Sequence, residues 1–222
     1  METINIFCFM GKTKSGKATY VNKVMSDRHF TRKYNLTRLV CGTTRRTKAK
    51  KIDNTEYEFV TNEEFETYHP STLIESRSYY TMSDGVVYYF TKLDAFTKAT
   101  KNIICTVTPY QYENYKFFCD QENIKCPGRY KLHLIYIDTL PETRMERMMK
   151  STTSEQTLCE FAGRFIQDFN EFNDVSKRLP ELVDPMMSNN VCFISNDVAD
   201  WRETKHNLEK IKLYISGSIG NR

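Results

Sequence analysis

Hydrophobic residues fall into five short runs of strand length, which begin near residues 4, 36, 102, 132 and 191. Between these runs lie segments in which apolar residues recur every three or four positions, the spacing of one helix face. In the first such segment, 17–26, this spacing places Val21, Val24 and Met25 on one side. Buried strands that alternate with helices predict an α/β fold with a five-stranded parallel sheet and helices on both of its faces.

The segment 43–98 interrupts this alternation. It contains a short strand pattern at 57–60 and a hairpin pattern over 72–90, and between them Thr61 and Glu64 have the spacing of a helix capping box. We therefore expect a small inserted subdomain beside the carboxyl edge of the sheet. Ligands bind at that edge in folds of this class.

Several boundaries between elements carry specific signals. The run Leu36–Cys41 is predicted as a single strand, and Thr91 is predicted to cap a short helix. Thr108 followed by Pro109 matches the cap and the first position of a helix. The chain is predicted to end in a disordered tail over 216–222.

Composition limits the class of protein further. The 222 residues are enough for one domain, and they contain no run of roughly 18 to 20 apolar residues that would cross a membrane and no secretion signal. The seven cysteines are scattered without a C-x-x-C pair, which favours reduced thiols and a cytoplasmic location over a zinc site. His133 lies inside an apolar strand, where a core histidine is expected.

The net charge of +4 is too small to indicate nucleic-acid binding by itself. One segment is strongly basic, with Arg45, Arg46, Lys48, Lys50 and Lys51 close together. Charge patterning alone leaves three interpretations open: a solvated basic loop, a phosphate clamp and a nucleic-acid patch. The third is the weakest, because no repeated basic and aromatic pattern extends it elsewhere.

The first strand run is followed directly by a G-x-x-x-x-G-K sequence over 11–17. In a phosphate-binding loop of this kind, glycines let the backbone wrap an anion, and the lysine adds a positive charge. The helix that opens at Lys17 points its positive end at the same place. The predicted phosphate site therefore consists of Gly11, Lys12, Thr13, Lys14, Ser15, Gly16, Lys17, Ala18 and Thr19.

One position of this motif departs from the usual pattern. The residue after the lysine is normally serine or threonine, whose hydroxyl binds Mg²⁺, and here it is Ala18. Thr19 does not replace that hydroxyl, because neighbouring helix positions point about 100° apart. We expect Mg²⁺ to be held through ATP phosphates and water, without an assigned protein ligand.

Motifs downstream of the loop resemble the guanylate kinase family. Thr43-Thr44-Arg45, then Tyr57-Glu58-Phe59 and Glu63-Glu64-Phe65, follow the loop at the distances found in that family. Further matches occur in family order, so that the resemblance spans about residues 4–212. They are Leu73-Ile74-Glu75, Tyr88-Tyr89 before Thr91, Arg144, Arg147, Arg164 and Phe193-Ile194-Ser195-Asn196-Asp197.

The resemblance implies a P-loop NTPase-like three-layer fold in a single domain over 1–215. The core would comprise 1–42, 99–148 and 176–215, the insertion 43–98 would bind a nucleoside monophosphate, and a helical lid would cover about 149–175. The implied reaction moves the γ-phosphoryl group of ATP to GMP or dGMP, with Mg²⁺. In such reactions positioning and charge stabilisation account for most of the catalysis.

The resemblance also assigns roles to residues. The implied catalytic residues are Lys17, Arg45, Arg147 and Arg164, and Asn196 joins the loop in binding ATP. The implied acceptor site consists of Cys41, Arg45, Lys48, Tyr57, Glu75, Tyr88, Tyr89, Thr91 and Thr108.

Other residues depart from the family pattern. Lys48 stands in place of an arginine and Cys41 in place of a serine, while Thr106 and Thr108 replace two acids. Together with Ala18, these differences affect metal handling and acceptor recognition.

Two alternatives therefore stay open. One is a catalytically impaired module that binds a nucleotide or a phosphoprotein, and the other is a kinase for a different nucleoside monophosphate. In each case the expected state is a monomer or homodimer that binds neither membranes nor nucleic acid.

Overall fold

A computed structural model describes residues 2–46, 57–152, 154–173, 175, 190–197 and 200–220. The strands are β1 (Ile4–Met10), β2 (Leu36–Arg38), β3 (Cys41–Thr43), β4 (Tyr57–Phe59), β5 (Leu73–Thr81), β6 (Gly85–Lys92), β7 (Asn102–Val107), β8 (Tyr130–Asp138) and β9 (Val191–Ser195). The helices are α1 (Lys17–Ser26), α2 (Arg28–Lys33), α3 (Asn62–Glu66), α4 (Asp94–Thr97), α5 (Pro109–Lys125), α6 (Pro141–Met149), α7 (Glu155–Phe172) and α8 (Trp201–Gly220), with a 3-10 turn at Pro70–Thr72.

A five-stranded parallel sheet forms the centre of the fold, in the strand order β2-β7-β1-β8-β9. This confirms the predicted α/β class and all five predicted sheet strands. Phe7 and Phe9 of β1 share a buried cluster with side chains of α1 and α8, including Val24 and Ile211. The helix α5 packs against β7 and β8. The strands β1, β7 and β8 are rich in apolar residues because both of their faces are covered.

A second sheet contains four strands in the order β4-β3-β6-β5. The strands β5 and β6 form an antiparallel hairpin, and β3 pairs parallel to β4. The chain divides into two compact units, the first made of Met1–Thr37 with Lys101–Arg222 and the second of Arg38–Thr100. The second unit contains the segment 43–98, on which the sequence predicts an insertion.

An aromatic layer fills one face of the second sheet. The ring of Phe65 in α3 stacks on Tyr88 with centroids 4.4 Å apart and lies 5.0 Å from Phe90. The Phe90 ring occupies the space beside Gly42, where an added Cβ would lie only 2.0 Å from its Cζ atom. Any larger residue at position 42 would therefore displace the ring.

Side-chain caps set the start of two helices as the sequence predicts. The Thr61 hydroxyl accepts a hydrogen bond from the Glu64 amide at 3.1 Å, and the Glu64 carboxylate accepts one from the Thr61 amide at 2.7 Å. Thr108 forms the same reciprocal arrangement with Gln111 at the start of α5, and Pro109 is the first residue of that helix. These caps satisfy amide groups that have no partner inside the helix.

Three boundaries differ from the sequence prediction. The run Leu36–Cys41 is divided, because β2 joins the central sheet while β3 joins the second sheet. Thr91 does not cap a helix; it lies in β6, and its hydroxyl donates to Glu75. The helix α8 continues to Gly220, so that 216–220 is helical where a disordered tail is predicted.

Among the helices of the described residues, none is long and apolar enough to cross a membrane.

A small polar network within the core joins three strands of the central sheet, β8, β1 and β7. His133 is fully buried, stacks on Phe7 at 4.7 Å, and donates from Nε2 to Asn5 Oδ1 at 2.9 Å. Asn5 in turn donates to the Asn102 side chain at 3.0 Å. Burial lowers the pKa of His133 to about 3, so that its imidazole is neutral at physiological pH. This confirms the prediction of a core histidine.

Burial of a neutral imidazole makes the stability depend on pH. Below about pH 6.5 the unfolded chain binds a proton at His133 that the native protein does not bind, so the free energy of unfolding falls as the pH falls. We expect His133 to account for about 2 kcal/mol of loss between pH 7.5 and pH 5. Urea denaturation at both pH values measures the loss.

The variant His133→Gln keeps a donor for Asn5 and cannot titrate, so it should lose less stability over the same interval. The three other histidines, His29, His69 and His206, lie at the surface and are unchanged in the variant. Equal losses in the two proteins would contradict the assignment.

Candidate functional site

The loop between β1 and α1 has backbone angles that residues with a side chain do not readily adopt. Gly11 has φ 155° and Gly16 has φ 103°, and Lys14 between them also lies in the left-handed region at φ 64°. An added Cβ at Gly11 would lie 2.4 Å from the Ile137 carbonyl oxygen. At Gly16 it would lie 2.5 Å from Nδ2 of Asn196. Both glycines are therefore required by close approach as well as by φ.

A buried amide and a tyrosine support the loop from below. Asn196 Nδ2 donates to the Ser15 carbonyl at 2.6 Å, and its Oδ1 accepts from the Tyr20 hydroxyl at 3.0 Å. Asn207 donates to the same hydroxyl at 3.2 Å, and burial raises the pKa of Tyr20. Thr139, directly after β8, also donates to the Ser15 carbonyl at 3.2 Å. The predicted residue Asn196 thus lies against the loop and holds its backbone.

Lys17 folds back over the loop that precedes it. Its ammonium group donates to the carbonyl oxygens of Gly11 at 2.5 Å and Lys12 at 2.9 Å. Desolvation lowers the pKa of Lys17 to about 8, while the charge of Asp168 opposes this shift. The ammonium group is therefore charged at neutral pH, and it loses its proton within a pH range that can be reached in an assay.

Two arginines on α6 reach the loop backbone. Arg144 is buried, donates from Nε to the Thr13 carbonyl at 2.7 Å, and lies over the Phe165 ring at 4.4 Å. Arg147 donates to the Asn196 carbonyl at 2.8 Å and to the Lys14 carbonyl at 3.3 Å. Arg144 and Arg147 are three residues apart, so both extend from the same side of the helix.

Asp168 on α7 joins the loop to these arginines, and sequence reasoning missed it. Its carboxylate accepts from the Thr13 amide at 2.8 Å and from the Thr13 hydroxyl at 3.1 Å, and it pairs with Arg144. Asp168 and Phe172, one turn later, are both buried. The available signal in the sequence was an acidic residue on the apolar side of an amphipathic helix, because a buried carboxylate needs a charged or hydrogen-bonding partner.

The other predicted site residues of the first unit contact neighbouring side chains or lie at the surface. Arg164 lies over the Phe161 ring at 5.9 Å, and Lys14 donates to the Ser151 hydroxyl at 2.7 Å. Ala18 and Thr19 are exposed on the first turn of α1. Within the part of the chain that the structure describes, no group of three or more His, Cys, Asp or Glu side chains is arranged to hold a metal ion.

In the second unit, a buried carboxylate lies on the face of the sheet opposite the aromatic layer. Glu75 Oε1 accepts from the Thr91 hydroxyl at 2.7 Å, and Cys41 Sγ lies 3.7 Å from the same hydroxyl. Glu75 and Thr91 are directly paired across β5 and β6. The Glu75 side chain is completely enclosed, and Arg77 NH1 lies 3.5 Å from its Oε2 atom.

Tyrosine rings surround this arginine. The guanidinium carbon of Arg77 lies 5.8 Å from the Tyr79 ring centre and 5.9 Å from that of Tyr89. The Tyr89 ring also meets Tyr57 edge-on at 5.6 Å. The resulting cluster links β4, β5 and β6 on one side of the sheet.

Arg45 follows β3 and is held by the turn of the β5–β6 hairpin. Its Nε atom lies 3.5 Å from Asp84 Oδ2, and both side chains are almost completely buried. The Arg45 amide donates to the Thr43 hydroxyl at 3.2 Å. A guanidinium carries five donors in a planar fork, which is the chemistry that suits arginine to bind phosphate.

The structure brings together most of the residues predicted for the acceptor site. Within the second unit, Cys41, Tyr57, Glu75, Tyr89 and Thr91 belong to one connected cluster. Sequence reasoning missed Arg77 and Asp84. Alternation along a strand was the available signal for Arg77, since residues two apart share a face.

Two other predicted acceptor residues are placed differently, and a third is not described. Tyr88 stacks on Phe65 in the aromatic layer, on the opposite face from Tyr89. Thr108 belongs to the first unit, where its hydroxyl caps α5. Lys48 lies outside the described residues.

No protein-family model matches the chain, and no curated protein sequence matches it.

The Asp168 contacts predict a specific loss of stability. Asp168→Asn leaves the buried guanidinium of Arg144 without its charge partner, and breaking a buried ion pair costs about 3 kcal/mol. We expect a decrease of this size in the free energy of unfolding, measured by urea denaturation at pH 7. The matched control is Glu146→Gln, which breaks an exposed pair with Lys150 and should change the free energy of unfolding much less. Similar losses for both variants would show that Asp168 does not anchor Arg144.

Proposed function

We propose that the protein is a guanylate-kinase-like nucleoside monophosphate kinase, which transfers the γ-phosphoryl group of ATP to GMP or dGMP. The proposal includes a P-loop NTPase-like core, a second unit that binds the acceptor, and a lid formed by α7 and its neighbouring residues. The observation that carries it is the loop over 11–17, with its two sterically required glycines and the lysine bent over its carbonyls.

The loop has the physical properties of a phosphate site. It lies between a buried strand and the start of α1, so the positive end of the helix dipole is directed at an anion bound there. When phosphate binds, the Lys17 ammonium can exchange its loop carbonyls for phosphate oxygens. An anion also raises the pKa of a neighbouring lysine, so binding should keep Lys17 charged.

The proposed reaction needs little covalent chemistry from the protein. An oxygen of the acceptor phosphate attacks the γ-phosphorus of ATP, and the bond from that phosphorus to the β,γ-bridging oxygen breaks, which yields ADP and a nucleoside diphosphate. Lys17 and Arg147 would stabilise negative charge on the transferred group, with Arg164 added when the lid closes. Arg144 and Asp168 would keep the loop in position.

The second unit contains groups suited to the acceptor. Arg45 would bind the acceptor phosphate together with the Tyr57 and Tyr89 hydroxyls, and Glu75 would accept hydrogen bonds from the base. A carboxylate discriminates between bases because it accepts hydrogen bonds and donates none when ionised.

Mg²⁺ would enter with ATP. The Ala18 side chain has no oxygen with which to bind it, so ATP phosphates and water would supply its ligands. The ion would neutralise charge on the phosphate chain.

The proposal is tested by ADP formation from ATP and Mg²⁺ in the presence of GMP, dGMP, AMP, CMP, UMP or dTMP. Turnover with GMP or dGMP above the rate without acceptor supports it. Turnover with another acceptor alone would keep the kinase class and change the substrate. A folded protein that turns over none of the six would refute the proposal.

A second candidate function is a binding module that has lost catalysis. The observation that favours it is Ala18, which deprives the loop of the usual metal ligand. Such a module would bind GMP or a phosphopeptide through the second unit without releasing ADP. Calorimetry with each ligand, on a protein that shows no turnover, distinguishes it from the kinase.

Lys17 gives a prediction that depends on pH. Its pKa of about 8 means that the free protein loses this charge as the pH rises through that value, so kcat/KM for ATP should fall on the alkaline side. Lys17→Ala should lower kcat/KM by about 100-fold or more at pH 7. Initial rates between pH 6 and pH 9.5 measure both effects.

The control is Lys23→Ala, which removes an exposed lysine from the same helix and should leave the rate unchanged. Full activity of Lys17→Ala would exclude the loop from the reaction. An alkaline limb that persists unchanged in Lys17→Ala would assign it to another group.

Ala18 gives an independent prediction about the metal. Ala18→Ser restores a hydroxyl on the first turn of α1. The Mg²⁺ concentration for half-maximal rate should therefore fall about threefold or more, because an interaction as strong as one hydrogen bond contributes about 1 kcal/mol. Rates across a Mg²⁺ titration measure it. Ala162→Ser, at an exposed position of α7, is the matched control. Superimposable titrations for Ala18→Ser and the wild type would show that position 18 does not limit metal use.

A further inference from the structure

A carboxylate of the chain lies among hydrogen-bond donors of the loop over 11–17. Asp168 Oδ2 accepts from the Thr13 amide at 2.8 Å, and Oδ1 accepts from the Thr13 hydroxyl at 3.1 Å. The Arg144 guanidinium donates to Oδ2 as well, and its Nε atom donates to the Thr13 carbonyl at 2.7 Å. Because Asp168 is only 7% exposed, protein groups surround its carboxylate.

The groups around this carboxylate are those that proteins use to bind phosphate. Arg144 is buried and lies against the Phe165 ring, which limits the rotation of its guanidinium. The charge of Asp168 also acts on Lys17, because it opposes the desolvation that lowers the pKa of that lysine. Amide, hydroxyl, guanidinium and ammonium donors bind the oxygens of phosphates as well as those of carboxylates. Asp168 therefore occupies an anion site at the loop.

A phosphate at the loop needs the same donors as Asp168. Carboxylates and phosphates both present anionic oxygens that accept hydrogen bonds. The Thr13 amide has one hydrogen to donate, so a phosphate oxygen that bonds to it must displace Oδ2 of Asp168. A phosphate that bound beside Asp168 without displacing it would lie next to a second negative charge, and like charges repel more strongly where water is largely excluded. In either arrangement the carboxylate makes anion binding less favourable.

We propose that Asp168 is an internal competitor of the ATP phosphates at the loop over 11–17, and that it lowers the affinity of the protein for polyphosphate ligands. This inference rests on the proposed function, specifically on the assignment of the loop to the phosphates of ATP. The contact that stabilises the free protein then opposes ligand binding. A structural role alone predicts the opposite effect on binding, because loss of an anchor would disorder the loop and weaken its hold on ATP.

The competition also involves the helix α7. In the free protein, α7 contacts the loop through Asp168 at Thr13 and through Phe161, whose ring centre lies 4.8 Å from Lys14 Nζ. A ligand that takes the Thr13 donors removes the first contact and leaves the second. Occupation of the loop by phosphate is thereby linked to the helix that the proposed function assigns to the lid.

The test is calorimetric titration of ATP into the wild type and Asp168→Asn, without Mg²⁺ or acceptor. Asparagine has nearly the same shape and can still accept from the Thr13 amide, but it carries no charge. We expect ATP to bind Asp168→Asn about tenfold or more tightly than the wild type, the factor that corresponds to one hydrogen bond to a charged group. Adenosine, which has no phosphate, should bind both proteins equally.

Glu155→Gln is the matched control. It removes an exposed acid from the first turn of the same helix and should change the ATP affinity by less than about twofold, because water and salt screen an exposed charge. Thermal denaturation establishes that each variant is folded.

If Asp168→Asn does not fold, Thr13→Val makes the same test. It removes the hydroxyl that donates to Oδ1 of Asp168 and changes the shape of the side chain little. A carboxylate held by one hydrogen bond fewer competes less well, so ATP should bind this variant about threefold more tightly than the wild type.

Three results would overturn the inference: an ATP affinity of the folded variant equal to or below that of the wild type, an equal gain in affinity for adenosine, or no binding of ATP to the folded variant. ADP formation with GMP, measured on the same preparations, separates this inference from the proposed function. Tighter ATP binding by the variant, with no phosphoryl transfer by either protein, supports the inference and refutes the kinase. Transfer to GMP by the wild type, with no gain in ATP affinity in the variant, supports the kinase and refutes the inference.

Discussion

The close packing of the loop over 11–17 is the constraint on which the first unit depends. Its backbone is held by Asn196 and Thr139 at Ser15, and by Arg144 and Asp168 at Thr13. Asn196 follows β9, Thr139 follows β8, Arg144 lies in α6 and Asp168 lies in α7. The loop therefore joins distant parts of the chain. A backbone held from several sides is organised before a ligand arrives, which lowers the cost of ordering on binding.

The second unit is built around enclosed charges. Arg45 is paired with Asp84 and Arg77 with Glu75, and each pair has its N and O atoms 3.5 Å apart. Pairs of this kind contribute little net stability, because desolvation offsets most of the attraction.

Much of the fold could be predicted from the sequence, and some of the site could not. The apolar runs of the central strands give a strong signal, as do the caps at Thr61 and Thr108. The division of Leu36–Cys41 between two sheets has no local signal, because it depends on which strands pair with it. Asp168 and Arg77 act through contacts with residues distant in sequence or on neighbouring strands, and periodicity shows only that they share a face with buried residues.

The central claim is that the loop over 11–17 binds a phosphate chain. Hydrogen exchange of the amides of residues 11–18, followed by mass spectrometry with ATP and Mg²⁺ or with adenosine, tests it most directly. The account predicts slower exchange of this segment with ATP and no change with adenosine, because the protection comes from the phosphates. Identical exchange with and without saturating ATP, in a folded protein, would contradict it.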